Sequence, residues 1–175
     1  ILEARGVRRA CVAGGVGHPA AGMHFSVHGR SYSLPALGEH NLSNALAALA
    51  VCRLLGMSHA ELCAGMKKIR LPAGRLQLRK AGGINFIDDS YNANPFSLSQ
   101  ALRCFRQLPV AGRRIVVMGD MLEMGKQSAR FHRQAGREAA AFCDCLICVG
   151  ALSQAAAVAA RRAGMAAAAV FCCAD

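Results

Sequence analysis

The sequence predicts an α/β protein whose second half folds around a parallel sheet, and three observations support this class. After residue 84, short apolar runs alternate with segments of ten or more residues that have helical periodicity. Strands separated by helices of that length are typical of βαβ units, in which neighbouring strands run parallel. The segment LPAG at residues 71–74 separates this half from the preceding one. Hydrophobic residues make up 54% of the 175-residue chain, which is sufficient for a buried core.

The first 35 residues predict antiparallel strands. Residues 25–28 and 32–34 have the composition of short strands, and they flank Gly29 and Arg30, a pair that suits a tight turn. We therefore expect a hairpin in this part of the chain.

Two helices are predicted after the hairpin. Residues 41–55 carry apolar side chains at helical spacing, and the members of the predicted core face are Leu42, Ala45, Leu46, Leu49 and Val51. Gly56 ends this helix. Ser58 begins a second helix that extends to about residue 68, and Glu61 follows three residues later, as in a capping box.

The linker at residues 71–74 predicts a domain boundary, with a first domain at residues 1–72 and a second at residues 73–175. The second domain begins with an alternating run at residues 75–79. Its predicted strands are 84–88, 114–118, 145–149 and 168–172, and its predicted helices are 95–107, 128–142 and 152–163. Because the last of these elements is a strand, we expect the parallel sheet to be incomplete.

The net charge of +11 favours anionic ligands such as nucleotides. The basic residues are scattered rather than gathered in one run, and few aromatic residues lie among them, so the pattern does not favour a nucleic-acid partner. No apolar stretch reaches the roughly 20 residues of a membrane span, and the sequence therefore predicts none.

The nine cysteines, an odd number, fall mostly within apolar segments. This usage predicts reduced, buried thiols in a cytoplasmic protein. Cys143, Cys145 and Cys148 have a spacing that suggests a metal site, but no second pair or nearby histidine completes a tetrahedral set. We therefore interpret the segment as a strand that carries cysteine, and we expect no metal ligand in this chain.

The first candidate site is the string DDSYNANP at residues 88–95, which follows an apolar run. Pro95 suits the first turn of a helix, and Asn94 suits its N-cap. In open α/β sheets, ligands bind where strands end and helices begin. Asp88 and Asp89 at such a place suit a ribose hydroxyl or a metal ion, while free helix N–H groups suit anionic oxygens.

Two further candidates precede this string. The segment GEHNLSNA at residues 38–45 places Asn41 and Asn44 on one face of a helical turn, where their amides match the edge of adenine. The alternative is that Asn41 caps the helix and that His40 is a turn residue. Arg75 carries a permanently charged fork that suits phosphate, although a solvated arginine is the default interpretation.

A fourth candidate is the string GDMLEMG at residues 119–125, which follows the predicted strand 114–118. Its glycines permit tight turns, but it lacks the Gly-Lys-Ser/Thr of a phosphate loop. We assign no role to Asp120 or Glu123.

Taken in order, the strings GxHNxxNA, PxGR, DDSYNANP and GDMLEMG resemble the motifs of the Mur ligase family, and the resemblance covers nearly the whole chain. The last two strings resemble those of the member that joins D-alanyl-D-alanine to UDP-N-acetylmuramoyl-tripeptide in peptidoglycan synthesis. The resemblance implies the end of a central ATPase-type domain, followed by an incomplete, Rossmann-like C-terminal domain.

The resemblance also implies roles for individual residues. Those that it places at ATP are His40, Asn41, Asn44, Arg75 and Asp89. The asparagine pair lies near the adenine, Arg75 approaches the phosphates, and Asp89 rather than Asp88 holds the ribose. The residues that it places along the cleft between the domains are Asp88, Ser90, Tyr91, Asn92 and Asn94.

The implied reaction is ATP-dependent formation of an amide. ATP phosphorylates the terminal carboxylate of the UDP-linked tripeptide, and the amine of D-alanyl-D-alanine attacks the acyl phosphate. Mg2+ and basic groups neutralise charge on the transferring phosphoryl group. The resemblance further implies a cytoplasmic location, small-molecule partners and a monomer.

The family's phosphate loop, magnesium-binding acids and modified lysine are absent from this sequence. We therefore expect the chain to be an internal and C-terminal fragment of such a ligase. We expect that it contains no catalytic residue, that the Mg2+ ligands lie outside it, and that it has no ligase activity alone.

Three alternatives stay open. A sister Mur ligase or a folylpolyglutamate synthase-like ligase would carry a different string after strand 84–88. A stand-alone nucleotide- or anion-binding α/β module would use the charge of +11 and bind DNA in a salt-dependent manner. The remnant of a broken gene would expose a sheet edge and aggregate.

Overall fold

The computed structural model describes residues 5–12 and 20–174, with side chains described from residue 22 onward. The chain forms two compact units, unit 1 (Ile1–Tyr91) and unit 2 (Asn92–Asp175). A hairpin between residues 77 and 88 belongs to unit 1, so the units divide later than the domain boundary predicted after residue 72. That boundary stays a prediction.

Unit 1 begins with a three-stranded antiparallel sheet of β1 (Arg5–Val12), β2 (Ala20–Val27) and β3 (Arg30–Leu34), in that order. The predicted hairpin is confirmed, because β2 and β3 pair across a two-residue turn. The predicted turn pair Gly29 and Arg30 is wrong by one residue, since Arg30 pairs with Val27. Both turn residues, His28 and Gly29, have positive φ angles of 49° and 75°. Such turns match the twist of paired strands, and glycine adopts this conformation at little cost.

The sheet of unit 1 packs its inward side chains against two helices, α1 (Glu39–Leu54) and α2 (His59–Lys67). Of the predicted core face of α1, Leu42, Ala45 and Leu49 are buried. The prediction for Val51 is wrong, since its side chain is 56% exposed. Val51 lies two residues beyond Leu49, which is about 200° around the helix and therefore on the opposite side.

The predicted capping box at the start of α2 is confirmed. The Ser58 hydroxyl accepts a hydrogen bond from the Glu61 backbone N–H at 3.3 Å, and the Glu61 carboxylate accepts one from the Ser58 backbone N–H at 2.8 Å. Two N–H groups that would otherwise lack partners are satisfied, which fixes the helix start.

The last element of unit 1 is the antiparallel hairpin of β4 (Gln77–Ala81) and β5 (Ile84–Asp88). The strand predicted at residues 84–88 is confirmed, but its expected place in a parallel set is wrong, because in the described residues it pairs with β4. The connection explains the pairing. Gly82 and Gly83 both have positive φ angles, 54° and 79°, and form a two-residue hairpin turn.

Unit 2 is an α/β structure with a parallel three-stranded sheet of order β6-β7-β8. Its elements are α3 (Pro95–Gln107), β6 (Ile115–Met118), α4 (Ser128–Ala140), β7 (Cys145–Val149), α5 (Gln154–Arg162) and β8 (Val170–Cys173). Each was predicted as the same type of element, with bounds that differ by two residues or fewer. The parallel α/β class is therefore confirmed for this unit.

Helices α4 and α5 pack directly against each other in the core of unit 2. At the contact, Gly136 of α4 faces the backbone of Ala156 in α5. A Cβ atom at residue 136 would lie 2.7 Å from the Ala156 Cα and would overlap its carbonyl oxygen. Glycine is therefore required by the close approach of the two helices rather than by its φ angle.

The eight cysteines with described side chains are free thiols. Four of them, Cys104, Cys143, Cys145 and Cys148, are buried as predicted. The prediction is wrong for Cys172 and Cys173, which are exposed on the edge strand β8. Burial raises the pKa of Cys143 and of Cys148 to about 11, so both thiols stay protonated at neutral pH.

Within the described parts of the chain, no helix combines the length and the apolar composition that crossing a bilayer requires.

Candidate functional site

The two adjacent acids at the end of β5 have different environments. Asp88, the last residue of the strand, accepts hydrogen bonds from the Ser90 hydroxyl at 2.6 Å and from the Ser90 backbone N–H at 3.2 Å. Its other oxygen lies 3.3 Å from Nε of Arg79 on β4. The hydroxyl bond of Ser90 lowers the pKa of Asp88, with a smaller contribution from the Arg79 charge. Asp88 is thus held by its own loop and hairpin.

Asp89 is half-buried, and its Oδ1 accepts a hydrogen bond from the Leu76 backbone N–H at 3.0 Å. Burial raises the pKa of Asp89, although the Leu76 N–H and the nearby charges of His40 and Arg75 act in the opposite direction. The structure therefore brings together three of the predicted ATP-site residues: His40, Arg75 and Asp89.

These environments predict the order in which the two acids titrate. As the pH falls, we expect Asp89 to gain its proton first, because its pKa in the folded chain is raised whereas that of Asp88 is lowered. The stability that Asp88 contributes is present above its unfolded pKa and is lost as the pH falls through its folded pKa. For Asp89 the pH dependence of stability has the opposite sign. Its pKa is raised in the folded chain, so protonation favours the folded state, and this stability is lost as the pH rises through the folded pKa.

Carboxyl 13C chemical shifts, assigned with the variants Asp88→Asn and Asp89→Asn, measure this order directly. Protonation of Asp88 at a higher pH than Asp89 would contradict the assigned environments.

Arg75 stands between two residues with left-handed backbone, Gly74 (φ 69°) and Leu76 (φ 47°). Its guanidinium carbon lies over the Tyr91 ring, 4.0 Å from the ring centroid. The Tyr91 backbone N–H donates a hydrogen bond to the Gly74 carbonyl oxygen at 3.1 Å. The segment that carries Arg75 is thus joined by hydrogen bonds to the loop that carries Asp89 and Tyr91.

The first turn of α1 holds the predicted adenine-site residues. Helix α1 begins at Glu39 with Gly38 as its N-cap, so Asn41 is not the cap and His40 is a helical residue. The Asn41 side-chain amide donates to the Leu37 carbonyl oxygen at 2.7 Å. Asn44 is exposed, and its amide is accessible to solvent.

The His40 ring packs on Gly38. A Cβ at residue 38 would lie 2.7 Å from the ring carbon Cε1, and the glycine has a φ of 91°. The buried Nδ1 of His40 has no hydrogen-bond partner among the described residues. Glycine at residue 38 therefore both caps α1 and makes room for the imidazole.

Of the remaining residues of the string DDSYNANP, Ser90 belongs to unit 1, and Asn92 and Asn94 belong to unit 2. Asn94 is the N-cap of α3, as predicted: its Oδ1 accepts from the Ser97 backbone N–H at 2.9 Å, and Pro95 occupies the first helical position. Asn92 is exposed. Ser90 is engaged with Asp88.

Asp120, in the loop after β6, has a structural role that the sequence did not predict. Its two oxygens accept from the backbone N–H groups of Leu152, at 3.1 Å, and of Ser153, at 2.7 Å. Asp120 thereby joins the loop after β6 to the loop after β7, and Gly150 (φ 100°) leaves room for its carboxylate. The signal was present in the sequence, because the carboxyl ends of parallel strands meet at one edge of a sheet.

His132 of α4 is completely buried and forms a hydrogen bond to the loop after β6. Its Nε2 accepts from the Met121 backbone N–H at 2.9 Å, so the ring proton lies on Nδ1, which donates to the Ser128 carbonyl oxygen at 2.8 Å. Together, Asp120 and His132 make the string GDMLEMG a structural loop. Glu123 has a positive φ of 64° and is exposed.

No group of three or more histidine, cysteine, aspartate or glutamate side chains in the described residues is arranged to hold a metal ion.

The second unit of the chain has a parallel α/β fold, and comparison with known proteins identifies the family. Residues 74–175 match the family described as "Mur ligase, glutamate ligase domain". The chain belongs to the Mur ligase family. Mur ligases are ATP-dependent ligases that form ADP.

The relatives indicate which member of the family this chain is similar to. It is 35% identical, over 118 residues, to the UDP-N-acetylmuramoyl-tripeptide–D-alanyl-D-alanine ligase of Bacillus subtilis. That match covers 66% of this chain and 26% of the relative, so the chain spans about a quarter of the relative's length.

Solved structures show the same fold. A crystal structure of MurF from Acinetobacter baumannii superposes with a TM-score of 0.81 and 29% identity, covering 99% of this chain and 36% of that one. MurF from Thermotoga maritima, solved in complex with ADP, superposes with a TM-score of 0.69. Its identity is 19%, and it covers 95% of this chain and 36% of that one, which indicates a common fold.

Proposed function

We propose that this chain is the part of a D-alanyl-D-alanine-adding Mur ligase that forms one side of its ATP site. The observation that carries the proposal is the hydrogen bond from the Leu76 N–H to Asp89, which joins Asp89 to the segment that carries Arg75; His40 is close enough for its charge to act on Asp89. The name of the Bacillus relative and the ADP in the Thermotoga structure support the choice of substrate and nucleotide. We also propose the domain boundary after residue 72.

Each residue has a role that suits its chemistry. Asp89 holds the ribose, because a half-buried carboxylate accepts hydrogen bonds from hydroxyl groups. Arg75 binds the phosphates, since its guanidinium combines a permanent charge with a fork of N–H donors. His40, Asn41 and Asn44 lie beside the adenine, and the proposed cleft-lining residues are Asp88, Ser90, Tyr91, Asn92 and Asn94.

The proposed reaction transfers the γ-phosphoryl group of ATP to the tripeptide carboxylate, which releases ADP. The amine of D-alanyl-D-alanine then attacks the acyl carbon, the amide bond forms, and inorganic phosphate leaves. Mg2+ supplies charge neutralisation on the phosphates, and we propose that its ligands lie outside this chain. The contribution of this chain is to orient the nucleotide, and we expect no turnover by the chain alone.

Binding of ATP to the chain, followed by calorimetry or NMR, tests the proposal. We expect Asp89→Asn and Arg75→Gln each to weaken ATP binding by about 10-fold or more, as for a lost hydrogen bond to a charged group. Lys80→Gln, which removes an exposed positive charge from β4, is the matched control and should have little effect.

A second comparison isolates the ribose. If Asp89 holds the ribose hydroxyls, wild type prefers ATP to 2′,3′-dideoxy-ATP, and Asp89→Asn reduces that preference. An equal preference in both proteins would contradict the role of Asp89. Binding of random DNA more tightly than ATP, with no effect of Arg75→Gln, would instead favour a general anion-binding module.

A further inference from the structure

The backbone on both sides of Arg75 is fixed. Leu76 has a φ of 47°, which is unfavourable for a residue with a Cβ atom, and its side chain is 3% exposed. The hydrogen bond from its N–H to Asp89 holds this conformation. On the other side, Gly74 has a φ of 69°, and a Cβ there would lie 2.7 Å from the Tyr91 backbone nitrogen. The remaining freedom of Arg75 is therefore in its side chain.

Tyr91 restricts that side chain. Tyr91 is 65% exposed, although an aromatic side chain of this size is normally placed where it buries apolar area. The Tyr91 N–H donates the 3.1 Å hydrogen bond to the Gly74 carbonyl oxygen. Because Arg75 directly follows Gly74, this bond keeps the Tyr91 ring close to Arg75. The guanidinium carbon lies 4.0 Å from the ring centroid.

The type of contact matters for a phosphate ligand. A carboxylate partner would occupy the N–H fork of an arginine and neutralise its charge. A cation lying over an aromatic face is attracted by the ring quadrupole, so the Tyr91 contact itself adds no anion to Arg75 beyond the nearby charge of Asp89. The Tyr91 ring can thus orient Arg75 while keeping its N–H donors for an anionic ligand.

We propose that Tyr91 is a positioning residue, whose ring holds the Arg75 guanidinium in place to receive the phosphates of the nucleotide. This rests on the proposed nucleotide-binding function. The role belongs to the aromatic face and not to the hydroxyl group, so phenylalanine fulfils it and leucine does not.

The experiment has a ligand-free and a ligand-bound part, both on the full chain. In the ligand-free part, the 15N relaxation of the Arg75 Nε–H group reports how mobile the guanidinium is. We expect it to be ordered in wild type and in Tyr91→Phe, and mobile in Tyr91→Leu. Phe86→Leu, which removes another partly exposed ring of unit 1, is the control and should leave the Arg75 signal unchanged.

In the ligand-bound part, ATP affinity is measured for Tyr91→Leu, Arg75→Gln and the double variant. We expect Tyr91→Leu to weaken binding by about 2- to 5-fold, the range of an exposed cation–π contact. The effect should disappear in the Arg75→Gln background, because Tyr91 acts through Arg75. Tyr91→Phe should restore the wild-type affinity.

The outcomes separate the two proposals. An Arg75 side chain equally mobile in wild type and Tyr91→Leu would overturn the role of Tyr91, whatever the ATP affinity. So would a Tyr91→Leu effect that persists without Arg75, while the loss in Arg75→Gln itself would still support the ATP site. If wild type binds no ATP, the nucleotide-binding function is overturned and the role of Tyr91 falls with it, even if the ring orders Arg75.

Discussion

Gly136→Ala is expected to destabilise unit 2 by about 3 kcal/mol, near the upper end of the cost of overpacking a core. The added Cβ would lie 2.7 Å from the Ala156 Cα and would overlap the carbonyl oxygen of that residue. These are backbone atoms of α5, so a change of side-chain rotamer cannot relieve the overlap. Helices α4 and α5 must move apart, which opens the core that they share with Leu146. Urea unfolding followed by circular dichroism measures the change.

Gly65→Ala is the matched control, since Gly65 also lies inside a helix but has open space at its Cβ position. It should stabilise unit 1 by about 0.5–1 kcal/mol, because alanine loses less backbone entropy than glycine on folding. A Gly136→Ala variant as stable as wild type would show that the α4–α5 contact adapts, contrary to the close packing described above.

His132→Ala is expected to cost about 3 kcal/mol, which combines a cavity with the loss of partners for buried backbone groups. The imidazole is fully buried, and it links the Met121 N–H to the Ser128 carbonyl oxygen. Its removal leaves both groups without their partner. Urea unfolding gives the change in stability, and hydrogen exchange at the Met121 amide reports the local effect.

Two variants make this result specific. His132→Gln can place an amide oxygen near the Met121 N–H, so it should lose less stability than His132→Ala. His24→Ala removes an exposed histidine in unit 1 and should be close to neutral. If the Met121 amide stayed equally protected from exchange in His132→Ala, the assigned hydrogen bond would be refuted.

The elements of the fold were predictable because their signals are local. The capping box at Ser58, the N-cap at Asn94 and the alternation of strands and helices in unit 2 each depend on a few neighbouring residues. The buried positions on α1 followed from helical spacing, except that Val51 lies on the exposed side. Residues 45–52 of α1 are apolar on both sides of the helix, so apolar character alone does not separate Val51 from the buried side.

The strand pairing and the geometry of the site depend on contacts between distant residues. Strand β5 was expected in a parallel set, but the Gly82-Gly83 turn pairs it with β4. The left-handed backbone of Leu76 is maintained by a hydrogen bond to Asp89, thirteen residues later. Propensity gives no reason for a leucine in that conformation. The motif strings predicted the residues of the candidate site, including the choice of Asp89 over Asp88 for the ribose. The different hydrogen bonds of the two acids are seen only in the structure.

Asp88 and Asp89, adjacent at the end of β5, have different hydrogen-bond partners, so substitutions at the two positions have different consequences. Asp88 is engaged with Ser90 and Arg79, so a change there acts first on the loop and hairpin that carry it. Asp89 is directed to Leu76 and the charges of His40 and Arg75, so a change there acts first on the candidate site. A substitution at Asp88 is therefore felt in the hairpin, whereas one at Asp89 is felt both in the Leu76 backbone and in the candidate site.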